Sequence, residues 1–431
     1  MSKFVLKNGE VASGKGVEMR DVYVEDGKIV EAGPDFEVID CSGKVILPGV
    51  IDAHVHFREP GHDYKEDWET GSAAAVAGGV TTVLDMPNNN PPTATVASLE
   101  AKRELIAGRA YCNYGLYLLY DGENIEEIKA AEGICAVKTY CANSTGDMGI
   151  GPEKIEKIIE RAPRSLPLVF HCEDEGCIEG KAAEYLAEGV APASVHSKIR
   201  APECALMMVE RVCKLAKKHQ RKVHIAHAST DAEMDVIEEY REWVTCEVTP
   251  HHLLFSDDDY EYLDNFIKVN PPVRERGDIF GLWKHLKMGN VDILATDHAP
   301  HTLEEKEESY GRAPSGMPGV QYLLPIFLNA VNDEGLQLEE LVRLGCENPA
   351  RLFNLQGKGF LEPGYDADIV VVDMEKEHKV ARADVLSKCG WSPYEDMAFK
   401  GWPVLTFVGG EKVFEDGKVV GEKVGKEVLK Y

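Results

Sequence analysis

The sequence predicts an α/β protein: a (β/α)8 TIM-type barrel carrying a small β-sandwich domain built from both ends of the chain. Three observations lead there. Eight short apolar runs alternate with helical patterns between about residues 45 and 350. Polar side chains gather at the C-terminal ends of several of those runs. Both termini, unlike the middle, are rich in β-type residues and hairpin turns.

Taken in order, the chain opens with Asn8-Gly9 and Asp26-Gly27 between alternating apolar residues, a strong hairpin signal. The barrel runs follow at 51–57, 80–86, 115–119, 134–140, 168–172, 223–228, 244–249 and 291–296. Most lead through a Gly-, Pro- or polar-punctuated loop into an amphipathic stretch, as at 67–77 and 203–218. Strands alternating with helices read as parallel βα units, and eight of them favour a closed barrel over an open doubly wound sheet. An open sheet would want a glycine-rich phosphate turn after its first strand. That position carries His54-Val55-His56-Phe57-Arg58 instead. Hairpin signals return at Asp366 and Asp416-Gly417, and Tyr-Val-Glu-Asp-Gly-Lys-Ile-Val at 23–30 is echoed by Val-Phe-Glu-Asp-Gly-Lys-Val-Val at 413–420. Residues 1–50 and 356–431 are therefore expected to form the small β domain, and 51–355 the catalytic barrel.

Composition narrows the partners. The 431 residues suffice for a barrel plus an accessory domain, and 44% apolar content allows a large core. The formal charge of −27, from 74 acidic against 47 basic side chains, argues against nucleic acid or an anionic membrane. No apolar run approaches the ~20 residues of a membrane span, and MSKFVLKNGE has no signal-peptide layout. A cytoplasmic protein is expected. Eleven scattered cysteines with no CxxC pair fit reduced, buried thiols in that compartment.

The polar strand ends suggest a metal centre. A period of two puts His54, His56 and Arg58 on one strand face. His171 follows Val169-Phe170, His227 follows Ile225-Ala226, and Asp297-His298-Ala299-Pro300-His301 ends the eighth run. In a barrel these ends converge on one rim, and several imidazoles plus a carboxylate suit zinc. Lys138 lies within the apolar run Ile134-Cys135-Ala136-Val137-Lys138-Thr139-Tyr140. A bare ammonium there would be repelled by two dications, whereas a carbamate formed with carbon dioxide would bridge them. Glu247 and His252 read as support for the rim, and His224 as pointing away from His227. The stretch 139–149, with Ser144, Thr145 and several glycines, reads equally as a mobile lid or as an ordinary surface loop.

These residues resemble the amidohydrolase superfamily and, within it, the dihydroorotases. The similarity lies in Pro48-Gly49-Val50-Ile51-Asp52-Ala53-His54-Val55-His56-Phe57-Arg58-Glu59-Pro60-Gly61, in Asp85-Met86-Pro87-Asn88, in Ala295-Thr296-Asp297-His298-Ala299-Pro300-His301 and in Pro363-Gly364-Tyr365-Asp366-Ala367-Asp368-Ile369-Val370. It implies two zinc ions per subunit, one held by His54, His56 and Asp297, the other by His171 and His227, with carboxylated Lys138 between them. Some relatives use an aspartate as the bridge, and Asp147 lies in the comparable region. Asp297 would also take a proton from the attacking water and hand it to the departing amide nitrogen. Arg58 would offer a substrate carboxylate its planar fork, with Asn88 and His301 completing that subsite beside His56. Asn270, Ser315 and Gly316 would meet the ring amides. The implied reaction interconverts N-carbamoyl-L-aspartate and dihydroorotate in pyrimidine synthesis. Allantoinase or hydantoinase chemistry, or a non-catalytic scaffold, are the alternatives. A second copy of the chain and aspartate transcarbamoylase are the protein partners the resemblance allows.

Overall fold

Seven of the eight barrel strands are buried along their whole length: Val50–Val55, Val80–Asp85, Asn113–Leu119, Ala136–Tyr140, Leu168–His171, Val223–Ile225 and Ile293–Leu294. In the remaining one, Val244–Val248, only Thr245 is partly exposed. Continuous burial is what a parallel strand needs when helices cover one face and packed side chains the other. The computed structural model describes residues 3–144, 148–185 and 191–428, and within them these strands pair in chain order as one parallel sheet. First and last strands meet: Val55 bridges His298, and the His56 N–H donates to the His298 carbonyl at 2.8 Å. Buried Asp52 reinforces this seam, accepting from the Thr296 N–H at 3.0 Å and the Thr296 hydroxyl at 2.5 Å. The sheet is thus closed into a (β/α)8 barrel.

Two further sheets form outside the barrel, the first from residues 3–40 alone and the second from both ends of the chain. One has four strands, ordered Lys28–Val30, Val22–Glu25, Lys3–Lys7, Glu37–Asp40. The other has seven, and its centre pairs Val45–Pro48 antiparallel with Ile369–Lys379, joining residues more than 300 positions apart in sequence. Asp26-Gly27 and Asp416-Gly417 both turn hairpins, with φ of 52° and 78° in the first and 43° and 86° in the second. Two positive φ values are the signature of the tight turn that matches strand twist. The echoed segments are therefore structurally equivalent hairpins.

Four expectations need correction. Asn8-Gly9 does not close a hairpin, because Lys3–Lys7 and Glu10–Ser13 belong to different sheets. It makes a corner instead, where a Cβ on Gly9 would lie 2.8 Å from Ile46. Asp366 forms no hairpin turn either; it bridges Lys28 and binds its ammonium at 2.6 Å. The helix Trp68–Ala77 starts as expected, with Asp67 accepting from the Glu69 and Thr70 N–H groups. It is buried over most of its surface rather than amphipathic, since the seven-stranded sheet covers its outer side. Finally, Cys177 and Cys204 form a disulfide, while the other nine cysteines are buried. The helices Glu175–Tyr185 and Pro202–Lys218 bring their Cα atoms to 5.4 Å across 27 residues of sequence. No local pattern announces such a pair.

Candidate active site

The barrel rim collects the residues that the motifs single out. One pocket is lined by His54, His56, Arg58, Asn88, Lys138, Tyr140, Ser144, His171, His227, Asn270, Asp297, Ala299, Ser315 and Gly316. Only His301 of the expected set stands behind the wall, against Arg58. A roomier cleft lies at the opposite end of the barrel, near Asn113 and Lys358, but no cluster of imidazoles lines it.

Backbone conformation does part of the aiming. Strands one, six and eight end at Val55, Ile225 and Leu294, so Arg58, His227 and Asp297 sit just beyond them. All three adopt positive φ, of 67°, 38° and 48°. Non-glycine residues held there cost on the order of 1–3 kcal/mol each and concentrate at functional sites. Arg58 is therefore not on the strand face of His54 and His56. The left-handed turn brings its side chain back over the pocket, where Nε donates to the Pro300 carbonyl at 3.0 Å and one terminal nitrogen meets His301 Nε2 at 3.1 Å. His301 is held in turn by Lys65 at 3.0 Å and the Ser315 carbonyl at 3.0 Å. With Lys65 on its Nδ1, His301 carries its ring proton on Nε2 and gives it to Ser315, so of the five guanidinium N–H donors the Pro300 carbonyl takes one.

Each histidine facing the pocket, except His227, has its outer nitrogen held by an oxygen. His54 Nδ1 lies 2.5 Å from Glu247, His56 Nδ1 lies 2.5 Å from Asn88 Oδ1, and His171 Nε2 lies 2.9 Å from Glu173. Acceptors placed this way fix the tautomer and ring angle of metal-binding imidazoles. The inner nitrogens then converge: His54 and His56 Nε2 are 3.3 and 2.9 Å from Asp297 Oδ1, and His171 Nδ1 is 3.0 Å from His227 Nε2. Donor atoms of His54, His227 and Asp297 all lie within 4.8 Å of one another. Between them the Lys138 ammonium is fully buried with no hydrogen-bond partner, as is Nδ1 of His227. An orphaned lysine among convergent imidazoles fits a bridged metal pair better than it fits a packed core.

The electrostatics agree. Burial lowers the Lys138 ammonium, against the pull of Glu247 and Asp297, which favours the neutral amine that can attack carbon dioxide. Burial likewise holds His56 down, to about 4, and His171 and His227 below the usual histidine range, so these rings are neutral and their lone pairs free to take a metal. Asp297 stays ionised: burial would raise it, but His54, His56 and His251 hold it far below the ordinary value. Glu173 is treated the same way by Arg200, which binds its carboxylate through Nε at 3.1 and 3.0 Å, and by His171.

Some neighbours had no motif to mark them. Glu173 with Arg200, and Tyr140, became visible only in three dimensions, because their role depends on which strand ends abut. Glu247 and His224 are joined at 3.1 Å beneath His54, and His252 binds the Pro271 carbonyl at 3.0 Å, so all three support the rim. Asn88 directs its oxygen to His56, and Asn270 meets Ser144 at 3.3 Å. Asp147 and Thr145 lie outside the described residues.

Comparison with known proteins gives the family. Residues 45–413 match the model of the amidohydrolase family. A dihydroorotase of Methanosarcina mazei is 38% identical over 96% of this chain and 94% of its own, and one of Pyrococcus abyssi is 36% identical over 99% and 97%. Among solved structures, the L-hydantoinase of Arthrobacter aurescens superposes with a TM-score of 0.95 at 30% identity, covering both chains completely. By sequence and by fold together, the chain belongs to the amidohydrolase family, in the company of the dihydroorotases.

Proposed function

We propose that the protein is a dihydroorotase whose pocket holds two zinc ions and interconverts N-carbamoyl-L-aspartate and dihydroorotate. The observation that carries this reading is Arg58: a buried guanidinium, anchored on two sides, in the same pocket as the imidazole cluster. An uncharged cyclic amide offers such a group only neutral carbonyl acceptors, whereas the carboxylate of dihydroorotate gives it an ion pair. The relatives named dihydroorotase point the same way.

His54, His56 and Asp297 would hold one zinc and His171 and His227 the other, with Lys138, as its carbamate, between them. When bound, zinc would lower the pKa of a coordinated water and polarise the amide carbonyl. The chain's own residues do the rest. Arg58, with Asn88 and His301, orients the substrate by its carboxylate. Asn270, Ser315 and Gly316 align the ring amide, so that the carbonyl faces the cluster. Ionised Asp297 accepts a proton from water and returns it to the leaving nitrogen, and in the reverse direction the same carboxyl runs these steps backwards.

Hydantoinase chemistry is the second reading, favoured by the fold likeness to the Arthrobacter enzyme. Assaying dihydroorotate, hydantoin and allantoin side by side separates the two. We expect dihydroorotate to be turned over best, with activity lost on chelation and regained with zinc. A preference for hydantoin would leave the family intact and remove the substrate assignment.

A further inference from the structure

A second cluster of metal-binding groups lies away from the pocket, on two helices of the barrel's outer ring. Asp231 and Asp235 stand one turn apart on the helix Asp231–Glu239, and His285 belongs to the neighbouring helix Arg276–Lys287. His285 is fully buried, yet its Nε2 makes no hydrogen bond. It lies 3.1 Å from an Asp231 oxygen and 3.3 Å from an Asp235 oxygen. The three donor atoms lie within 4.8 Å of one another. We propose that Asp231, Asp235 and His285 form a site for a divalent cation of the zinc or manganese class, distinct from the catalytic centre.

The surroundings are built for it. Gly281 faces Asp231 so closely that a Cβ there would lie 2.3–2.5 Å from the aspartate's side chain. The Asp231 carboxylate thus rests on bare backbone of the second helix, which fixes its position relative to His285. On the far side of the imidazole, Nδ1 is 3.1 Å from the Asn290 amide nitrogen and 4.0 Å from Glu238. Asn290 also donates its amide N–H to Glu238 at 2.9 Å, so when a cation takes the Nε2 lone pair the ring proton moves to Nδ1, on the side of the Glu238 carboxylate. One imidazole and two carboxylates are a borderline donor set suited to zinc or manganese. Access is open, since the Asp235 side chain is 64% exposed. Lys284, 3.5 Å from Asp231, is the cation that occupies this neighbourhood otherwise. A bound ion would tie together the helices that follow the sixth and seventh barrel strands.

The test is equilibrium dialysis of the purified holoprotein against micromolar zinc, followed by metal analysis. Wild type should carry one zinc per chain more than the Asp231→Asn/Asp235→Asn variant, while the two hydrolyse substrate equally. Zinc should also raise the Tm of wild type by about 2 °C and leave the variant unmoved. Unaltered hydrolysis certifies that the variant is folded; should the pair fold poorly, Asp235→Asn alone, at an exposed position, repeats the measurement. Equal zinc content, or an equal Tm response, in wild type and a folded variant overturns the site.

Discussion

At the scale of single residues, the proposed function rests on Arg58 and Lys138. Arg58→Met removes a charge-assisted contact worth about 2–4 kcal/mol, so kcat/KM for dihydroorotate should fall roughly 30- to 1000-fold with metal content unchanged. Weak activity on uncharged cyclic amides should fall far less, since they offer the guanidinium no carboxylate. Equal loss on every substrate would make Arg58 structural, a role its bonds to Pro300 and His301 make worth testing. Lys138→Ala should abolish most turnover and lower the content of bound metal. Adding a short carboxylic acid should restore part of both by supplying the missing bridge. A fully active variant would discard the carbamate and turn attention to Asp147. The resident residues were legible because histidines and a lysine inside apolar runs have few other reasons to be there. The way Arg58 reaches the site was not, since the chain leaves the strand three residues earlier and only a left-handed turn recovers the direction.

At the scale of elements, strand ends act in pairs. His171 ends the fifth strand, and its outer nitrogen is held by Glu173 in the following loop, which Arg200 holds from the end of the short helix His196–Ile199. Glu173→Gln keeps an oxygen but loses the charge and leaves buried Arg200 unpaired. Metal affinity should drop about 10- to 100-fold, read by competition with a chelator. No change would show that metal binding does not depend on His171 being oriented this way. Strand positions were readable from apolar runs with no change of order, and only their ends moved, by one to a few residues. Helix Trp68–Ala77 was misjudged because amphipathicity presumes water on the outer face, and a sheet from the chain termini lies there.

For the whole molecule, closure of the barrel is the critical contact, because it places His54 and His56 beside Asp297. Asp52 accepts from the Thr296 N–H, the Thr296 hydroxyl and the His54 N–H at this seam. Asp52→Ala strands three buried donors and should cost about 2–4 kcal/mol of stability, measured as a lower urea midpoint. Activity should fall as well, since the seam and the metal cluster share residues. An unchanged midpoint would mean that backbone pairing at Val55 and His298 closes the barrel unaided.

By itself the sequence determined the repeating βα units, the Asp-Gly hairpins and the histidine-rich strand ends. These are local: hydrophobic period, turn chemistry and unusual residues in apolar runs are all written within a few positions. Tertiary structure alone decided the corner at Asn8-Gly9, the Cys177–Cys204 pair, the oxygens behind His54, His56 and His171, and the buried helix that follows the first barrel strand. Each of those depends on which distant segments come to lie together, across 27 residues for the disulfide and across 193 for His54 and Glu247. Short-range physics sets what a segment can be; packing of the whole chain sets what it touches.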